Sequence, residues 1–337
     1  MRHAGVFSVV VILLAIGMTP VARGADTAVG KPLMPILNDD GTFNCGNVLI
    51  GKISGPPTHG VEFSKGAVED QGLPVTKPMS LNVENYHVAG TLNGLYVPRK
   101  MAEQKINRLN ENTMRLQIEP YENWKVHTEV LYTLLPDCVV QAKYTFTCEQ
   151  DYPQFEVFIS SYFHGCYPPY MRLNGKWQRA EIVRANNPCE HRYWCRDEKT
   201  REQLKAKMPQ RLKQYDEVFG GRDKSIFVEA VDERCYTEPL IVTPIHGTGY
   251  AVVHWIERES CMSLSANNRN GAHDFCLVGR DVKKGQTVTC YAWMAYRKLP
   301  LVQNESNWWV PSEAELNKAL EWVKTLKPAP VAPKAGR

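Results

Sequence analysis

The chain has 337 residues, with 40 Lys and Arg against 36 Asp and Glu, which gives a formal net charge of +4. Because acidic and basic residues are interleaved along most of it, no continuous basic field is available to bind nucleic acid, and we expect no such partner. Hydrophobic residues make up 43% of the chain, which suits a packed core and excludes general disorder.

The first 24 residues have the pattern of an export signal. Arg2 and His3 precede an apolar run from Val6 to Met18, and Ala22-Arg23-Gly24 offers a small-x-small cleavage site. The run is shorter than the roughly 20 residues that a membrane-spanning helix needs, and no later segment is long and apolar enough. A retained signal anchor is the alternative. The sequence therefore predicts a periplasmic or extracellular protein with no stable membrane insertion.

All ten cysteines follow this segment, and an even number of cysteines in an exported protein favours disulfides. A bridge between Cys189 and Cys195 would hold the residues between them as a rigid recognition loop. The alternative is that the cysteines act as small buried hydrophobic residues. Since C-x-x-C, H-E-x-x-H and Gly-rich phosphate-loop patterns do not occur, we expect no metal and no cofactor.

Apolar and polar residues alternate with a period of two over much of the chain. Residues 124–134 predict a half-buried strand, and the Pro136-Asp137 turn leads into a second strand that ends at Cys148, which indicates an antiparallel hairpin. A third strand is predicted at 154–164. Further strands are predicted at 46–53, 79–84, 92–99, 112–119, 179–184, 225–231, 239–245, 250–257, 273–279 and 286–297. This succession predicts an all-β fold built as a large antiparallel sandwich.

Two segments have helical patterns instead. Asp197 is suited to cap a charged helix through about Lys207, which restarts at Pro209, and we interpret this insertion at about 197–219 as a solvated lid beside the sheet. A C-terminal helix is indicated by the Ser312-x-x-Glu315 capping box. The predicted organisation is a signal peptide (1–24), one β-sandwich domain (25–327) and a disordered tail (328–337).

Polar residues on the central strands are the first catalytic candidates. His127 and Glu129 leave the same side of one strand, and Glu156, Tyr162 and His164 share a face of the third strand. If these strands were neighbours, the side chains would converge and supply a general acid, a general base and an orienting carboxylate. The alternative is an ordinary solvated sheet face.

Loops beside the strands carry the remaining candidates. Tyr167 and Tyr170 belong to a rigid aromatic loop suited to stacking on a sugar ring, and His164 is expected to matter most among the histidines because it opens onto that loop. His246, in a flexible turn, is a further catalytic candidate. The other candidates for substrate binding are Arg172, Trp194, Asn267, Asn268, Arg269 and His273. A turn or core role is the alternative for several of them.

Several segments together resemble the galactose-mutarotase-type β-supersandwich proteins over roughly residues 45–297. They are Trp124-Lys-Val-His-Thr-Glu-Val, Tyr144-Thr-Phe, Phe155-Glu-Val-Phe-Ile-Ser-Ser-Tyr-Phe and Gly279-Arg-Asp-Val-Lys-Lys-Gly-Gln-Thr-Val. This resemblance implies a carbohydrate ligand, in an architecture that includes aldose epimerases, sugar-binding domains and polysaccharide lyases.

The resemblance also implies possible residue roles. An epimerase of this kind uses a histidine acid, which His164 or His246 would match, and a carboxylate base, for which Glu129, Glu156 and Glu229 are candidates. A lyase would use Tyr162 and His164 for proton transfer, with Asn268 and Arg269 neutralising a uronate carboxylate. The expected function is acid–base chemistry on a sugar or uronate-containing glycan; the alternative is a non-catalytic extracellular glycan-binding or scaffold protein.

Overall fold

The structure of the protein is a computed structural model. It describes residues 35–44, 50–54, 60–64, 79–84, 103–120, 124–162, 169–180, 189–218, 227–245, 249–267, 273–304 and 309–329. These residues all belong to one compact unit, Leu33–Arg337. The predicted signal peptide, the strand predicted at 92–99 and most of the predicted tail lie outside them.

The described elements are named here in chain order. The strands are β1 (Ile36–Leu37), β2 (Thr42–Asn44), β3 (Ile50–Ser54), β4 (Gly60–Ser64), β5 (Met79–Glu84), β6 (Gln104–Asn110), β7 (Thr113–Ile118), β8 (Val126–Leu135), β9 (Val139–Cys148), β10 (Tyr152–Tyr162), β11 (Tyr170–Leu173), β12 (Lys176–Arg179), β13 (Cys189–Cys195), β14 (Phe227–Val231), β15 (Leu240–Pro244), β16 (Tyr250–Ile256), β17 (Cys261–Asn267), β18 (His273–Val282), β19 (Thr287–Lys298), β20 (Leu301–Gln303) and β21 (Trp309–Pro311). The helices are α1 (Glu198–Val218) and α2 (Glu313–Thr325).

The described strands form two large sheets and one small one. The ten-stranded sheet has the order β1-β2-β3-β4-β5-β10-β18-β17-β13-β14, and the nine-stranded sheet has the order β12-β11-β15-β16-β19-β9-β8-β7-β6. Strands β20 and β21 pair separately. Pairing is antiparallel except between β13 and β14. The predicted all-β, largely antiparallel class is confirmed.

The two large sheets pack face to face around one apolar cluster, which we call the interlayer core. Trp124 stacks on Phe155 with ring centroids 5.5 Å apart, and Phe146 meets the same ring edge-on at 5.9 Å. Phe146 belongs to the nine-stranded sheet and Phe155 to the ten-stranded sheet. Burial of aromatic surface from both sheets makes this the dominant apolar contact of the sandwich.

The predicted hairpin over 124–148 is confirmed. Strands β8 and β9 pair from Val126 with Cys148 to Leu135 with Val139. The turn between them places Asp137 and Cys138 at φ angles of 61° and 59°. Positive φ is tolerated best by Gly, Asn and Asp, so Asp137 is suited to this turn whereas Cys138 adopts an uncommon conformation there.

Strands β8 and β10 are not neighbours, so the condition for a joint catalytic patch is not met. After β9 ends at Cys148, the chain crosses to the other sheet, where β10 pairs with β5 and β18. The second neighbour of β9 is instead β19, which comes from the end of the chain. His127 and Glu129 therefore lie in a different sheet from Glu156 and Tyr162, and these four residues do not form one patch.

Helix α1 connects the parallel strands β13 and β14, because parallel neighbours need a crossover connection. Asp197 caps it as predicted, with its Oδ1 accepting a hydrogen bond from the Thr200 backbone N at 2.7 Å. The predicted restart at Pro209 is wrong, since the helix continues through that residue. Leu204 and Met208 are buried against the outer face of the ten-stranded sheet, so this part of α1 is a packed cover, not a solvated lid.

Helix α2 closes the outer face of the nine-stranded sheet. Ser312 accepts a hydrogen bond from the Glu315 backbone N at 3.3 Å, as the capping box predicts. The buried residues are the predicted face: Leu316, Ala319, Leu320 and Val323. They pack against β15 and β16. Beyond the helix, the Ala329 backbone N donates to Gln141 Oε1 at 2.8 Å, and the predicted tail continues outside the described residues.

Four cysteines are free thiols that serve as small apolar or half-buried residues: Cys148, Cys235, Cys261 and Cys290. Burial raises the pKa of Cys148 and of Cys290 to about 11, which disfavours the reactive thiolate. Cys148, Cys261 and Cys290 lie in the interlayer core. The predicted pairing of most cysteines is therefore not shown.

Candidate functional site

His127 and Glu129 lie on the outer side of the nine-stranded sheet, where they face away from the interlayer core. The ring of His127 is bracketed by two carboxylates, with Nδ1 3.2 Å from Glu119 Oε2 and Nε2 2.9 Å from Glu149 Oε1. All three side chains are exposed to solvent by 42% or more. Each ring nitrogen thus faces its own carboxylate, and the imidazole is held between two side chains of the protein.

A buried carboxylate marks the outer face of the ten-stranded sheet. Asp274 of β18 is 2% exposed and lies in register with Ser265 of β17, which is fully buried. Both share this face with Tyr193 and Cys276, which pack against α1. A buried carboxylate is costly unless it is hydrogen-bonded or paired, so Asp274 is a group whose placement requires a structural or functional reason.

Two residues along from the row that contains Asp274 and Ser265, the backbone aligns three residues of acid–base or hydrogen-bonding type. His191 of β13 is opposite Glu229 of β14 on one side and opposite Asn267 of β17 on the other. Residues directly opposite one another on adjacent strands have Cβ atoms about 5 Å apart and share a face. The row Glu229-His191-Asn267 therefore brings together three sequence positions that are 76 residues apart at most.

The backbone of β10 ends near the same edge of the sheet. Tyr162 is opposite Ser80 of β5, and β10 runs antiparallel to β18, which begins at His273. Tyr162 and Asn267 are thus the last residues of their strands, at the end of the sheet where β18 begins. Five of the predicted site residues lie outside the described residues: His164, Tyr167, His246, Asn268 and Arg269.

Behind this edge, the interlayer core holds a polar cluster. His273 Nδ1 lies 3.0 Å from Thr243 Oγ1, and both residues are buried. His254 meets the edge of the Phe275 ring at a centroid distance of 5.7 Å. Burial lowers the pKa of His254 to about 3. Burial, with a smaller effect of the neighbouring His254, lowers the pKa of His273 to about 3 as well. Both imidazoles are therefore neutral at physiological pH.

His273 and Trp194 are therefore not placed for direct substrate binding on the outer face, contrary to the sequence-based expectation. The His273 ring faces Thr243 inside the sandwich, and Trp194 is 1% exposed within the interlayer core. Trp194 also belongs to strand β13, so Cys189 to Cys195 is not a recognition loop. Side chains enclosed between the sheets cannot contact a ligand on the surface.

Tyr170 and Arg172 lie on β11 of the nine-stranded sheet and already have protein partners. Arg172 Nη1 is 2.8 Å from Glu238 Oε1, and its Nε donates to the Gly175 carbonyl at 3.1 Å. Tyr170 packs against the apolar cluster under α2. Arg172 is thus engaged in a structural ion pair that a ligand carboxylate would have to displace.

An arginine–aspartate network holds β13 and β14, the last two strands of the ten-stranded sheet, which contain His191 and Glu229. Asp232, just after β14, accepts from Arg234 Nη2 at 2.7 Å and from Arg192 Nη1 at 3.3 Å. Burial favours a higher pKa for Asp232, but the hydrogen bonds and charges of these arginines outweigh it, so its pKa is lowered. Arg234 also donates to Gln178 of β12. The network therefore ties β13 and β14 to an edge strand of the other sheet.

A second ion pair attaches α1 to the same outer face. Lys207 Nζ lies 2.6 Å from Glu156 Oε1, and the glutamate side chain is 1% exposed. Glu156 is thus a partner of α1, which is a different environment from the open catalytic face predicted for it. Together with the buried Leu204 and Met208, it holds the helix on the outer face of the ten-stranded sheet.

Sequence reasoning missed two parts of this arrangement. The row of Glu229, His191 and Asn267 depends on strand pairing between distant segments, for which one sequence offers no signal. The burial of His254 could have been predicted, because it lies two residues from the apolar Val252 and Ile256 and so shares their face of β16.

The described residues contain no cluster of His, Cys, Asp and Glu suited to hold a metal ion. Within the same residues, neither helix combines the length and apolar character needed to cross a bilayer.

No protein-family model and no curated protein sequence matches this chain. Among solved structures, it is similar to an aldose 1-epimerase-like protein from Escherichia coli K12, with 7% identity and a TM-score of 0.44 over 79% of this chain and 99% of that one. A second such protein, from Klebsiella pneumoniae, gives 6% identity and a TM-score of 0.41 over 84% and 82%.

An aldose epimerase homologue from Caenorhabditis elegans gives 8% identity and a TM-score of 0.36 over 79% of this chain and 98% of that one. Similarity at this level concerns the arrangement of the strands and carries no information about a reaction. These three structures are described as aldose epimerases or their homologues, which is the type of protein that the sequence resembles.

Proposed function

We propose that the protein is an exported, carbohydrate-active enzyme that transfers protons on the outer face of its ten-stranded sheet. The observation that carries this proposal is the register row Glu229-His191-Asn267, next to the buried Asp274. Histidine, glutamate and asparagine are residue types that combine acid–base chemistry with recognition of hydroxyl groups.

The proposed roles follow from the chemistry of each group. His191 and Glu229 act as an acid–base pair: one takes a proton from the sugar while the other gives a proton to a sugar oxygen. Asn267 donates to and accepts from ring hydroxyls, and Asp274 fixes the orientation of the groups around it. Tyr162, His164 and His246 remain proposed participants.

Two reactions use these steps and give different products. In epimerisation at the anomeric carbon, the base takes the anomeric hydroxyl proton while the acid protonates the ring oxygen, which opens the ring. In a uronate lyase, the base removes the proton α to the carboxylate, and the acid protonates the leaving glycosidic oxygen as a double bond forms.

The experiment is a screen of the purified mature protein against neutral and uronate-containing glycans. Accelerated anomer exchange identifies an epimerase, and ultraviolet absorbance of an unsaturated uronate identifies a lyase. Appearance of new reducing ends without that absorbance would indicate hydrolysis. We expect one of the first two signals, with a loss of about 10²–10⁴-fold in His191→Gln. Glycan binding without any turnover would contradict the enzyme proposal and support the binding-protein alternative.

The export part of the proposal has its own measurement. The segment before Ala25 has the n-region, apolar run and small-residue site of a cleaved signal. Amino-terminal sequencing of protein recovered from a secreting host is expected to begin at Ala25. Recovery of the uncleaved chain in the membrane fraction would indicate a retained anchor and contradict the prediction.

A further inference from the structure

A polar contact connects the two large sheets on the inner side of the ten-stranded sheet, opposite the face of the proposed site. Thr243 belongs to β15 of the nine-stranded sheet, and its Oγ1 lies 3.0 Å from Nδ1 of His273, the first residue of β18 in the ten-stranded sheet. His254 of β16 packs against Phe275, two residues further along β18, with ring centroids 5.7 Å apart. All three side chains are buried, in an otherwise largely apolar layer.

This contact lies at the first residue of β18, where the strand is paired on one side. The register between β10 and β18 ends at the pair of Ile159 and Phe275. On the other side, the register of β17 and β18 continues through Asp274 and His273. Within the described residues, His273 and Asp274 are therefore paired with β17 alone. Strand ends that are paired on one side open more easily than strand centres that are paired on both.

The other partner of the contact lies on β15, beside a strand that is paired on both sides. Thr243 is opposite Val252 of β16, and Val252 is in turn opposite Tyr296 of β19. The polar contact thus links the first residue of β18 to the part of the nine-stranded sheet where β15, β16 and β19 run side by side.

We propose that Thr243, His254 and His273 form an inter-sheet clamp that holds Asp274 in its place in the proposed site. Successive residues of a strand face opposite sides, so anchoring His273 inside the sandwich also fixes the backbone that presents Asp274 on the outer face. The three residues are positioning residues, because none of them reaches the outer face. The catalytic consequence rests on the proposed function, whereas the anchoring does not.

Thr243→Val tests the clamp, because it removes the hydroxyl and keeps the shape of the side chain. Native-state amide hydrogen exchange over residues 274–277 is expected to become about tenfold faster, as loss of a buried hydrogen bond would produce. On a substrate found in the glycan screen, kcat is expected to fall about tenfold with KM changed less than twofold. Thr243→Ser keeps the hydroxyl and should restore both values.

Thr133→Val is the matched control. It removes another buried threonine contact, the 3.3 Å approach of the Thr113 and Thr133 hydroxyls in the nine-stranded sheet. It is expected to lower global stability by a similar amount without a selective increase in exchange at 274–277. Should Thr243→Val fail to fold, Thr243→Ala removes the hydroxyl without adding bulk and takes its place.

The outcomes separate the clamp from the proposed function. Exchange at 274–277 no faster than in Thr133→Val would overturn the clamp. Faster exchange with an unchanged kcat would overturn its link to catalysis. Faster exchange in a protein that turns over none of the glycans would support the anchoring and overturn the proposed function.

Discussion

The two buried histidines make the stability of the protein depend on pH. The pKa of His254 and of His273 is about 3 in the folded protein, below the usual value of 6.5. Between these values the unfolded chain binds more protons than the folded one. Stability is therefore fully present above pH 6.5 and falls as the pH decreases toward 3, by up to about 1.4 kcal/mol per pH unit for each histidine.

Urea unfolding at several pH values between 7.5 and 4.5 measures this dependence. His254→Phe removes one titrating group and is expected to reduce the slope by up to about 1.4 kcal/mol per pH unit. Ile256→Val, on the same face of β16, is expected to cost about 1 kcal/mol without changing the slope. An unchanged slope in His254→Phe would show that this histidine does not titrate differently in the two states.

The sequence predicts which face of a strand a residue occupies better than it predicts the partners of that residue. His127 and Glu129 share a sheet face as the period of two predicts, yet the partners of His127 are Glu119 and Glu149. Which carboxylates surround an imidazole is decided by strand register and turns, and a single sequence does not encode these visibly.

At the scale of the elements, the buried ion pair of Glu156 and Lys207 attaches α1 to β10 and can be tested by substitution. Removing one partner of a buried pair destabilises a protein by about 3–5 kcal/mol, because the remaining charge stays in an apolar environment. Lys207→Met is therefore expected to lower the free energy of unfolding by about this amount. The double variant Glu156→Gln/Lys207→Met should recover most of it. A double variant as unstable as Lys207→Met would contradict this explanation.

The cap of α2 gives a smaller, local effect. Ser312→Ala removes the acceptor of the Glu315 N–H and is expected to cost about 1 kcal/mol, whereas Ser312→Asp keeps an acceptor and should stay within about 0.5 kcal/mol. Thermal unfolding followed by circular dichroism measures both. Equal stability of the alanine and wild-type proteins would mean that the cap contributes nothing.

Elements defined by local pattern could be predicted, and those defined by tertiary contacts could not. The hairpin of β8 and β9 and the buried face of α2 follow from residue spacing within one segment. The crossover through α1 does not, since its low apolar content favoured a solvated insertion although Leu204 and Met208 are enough to bury one face.

At the scale of the whole molecule, the sandwich assigns to two different sheets the polar residues that would have converged if β8 and β10 were neighbours. The chain changes sheets between β9 and β10, so His127 and Glu129 belong to the nine-stranded sheet, whereas Glu156 and Tyr162 belong to the ten-stranded sheet. The class of the fold was predictable because strand periodicity extends over most of the chain. The assignment of each strand to a sheet was not, because it depends on contacts between residues far apart in sequence.

The most direct measurement of the central claim compares turnover in variants of these two sheets. On a glycan that the wild-type protein converts, His191→Gln is expected to lower kcat by about 10²–10⁴-fold, whereas His127→Gln should retain at least half of it. Circular dichroism and unfolding midpoints establish that both variants are folded. Full turnover in His191→Gln, together with its loss in His127→Gln, would contradict a site on the ten-stranded sheet and place it on the nine-stranded sheet.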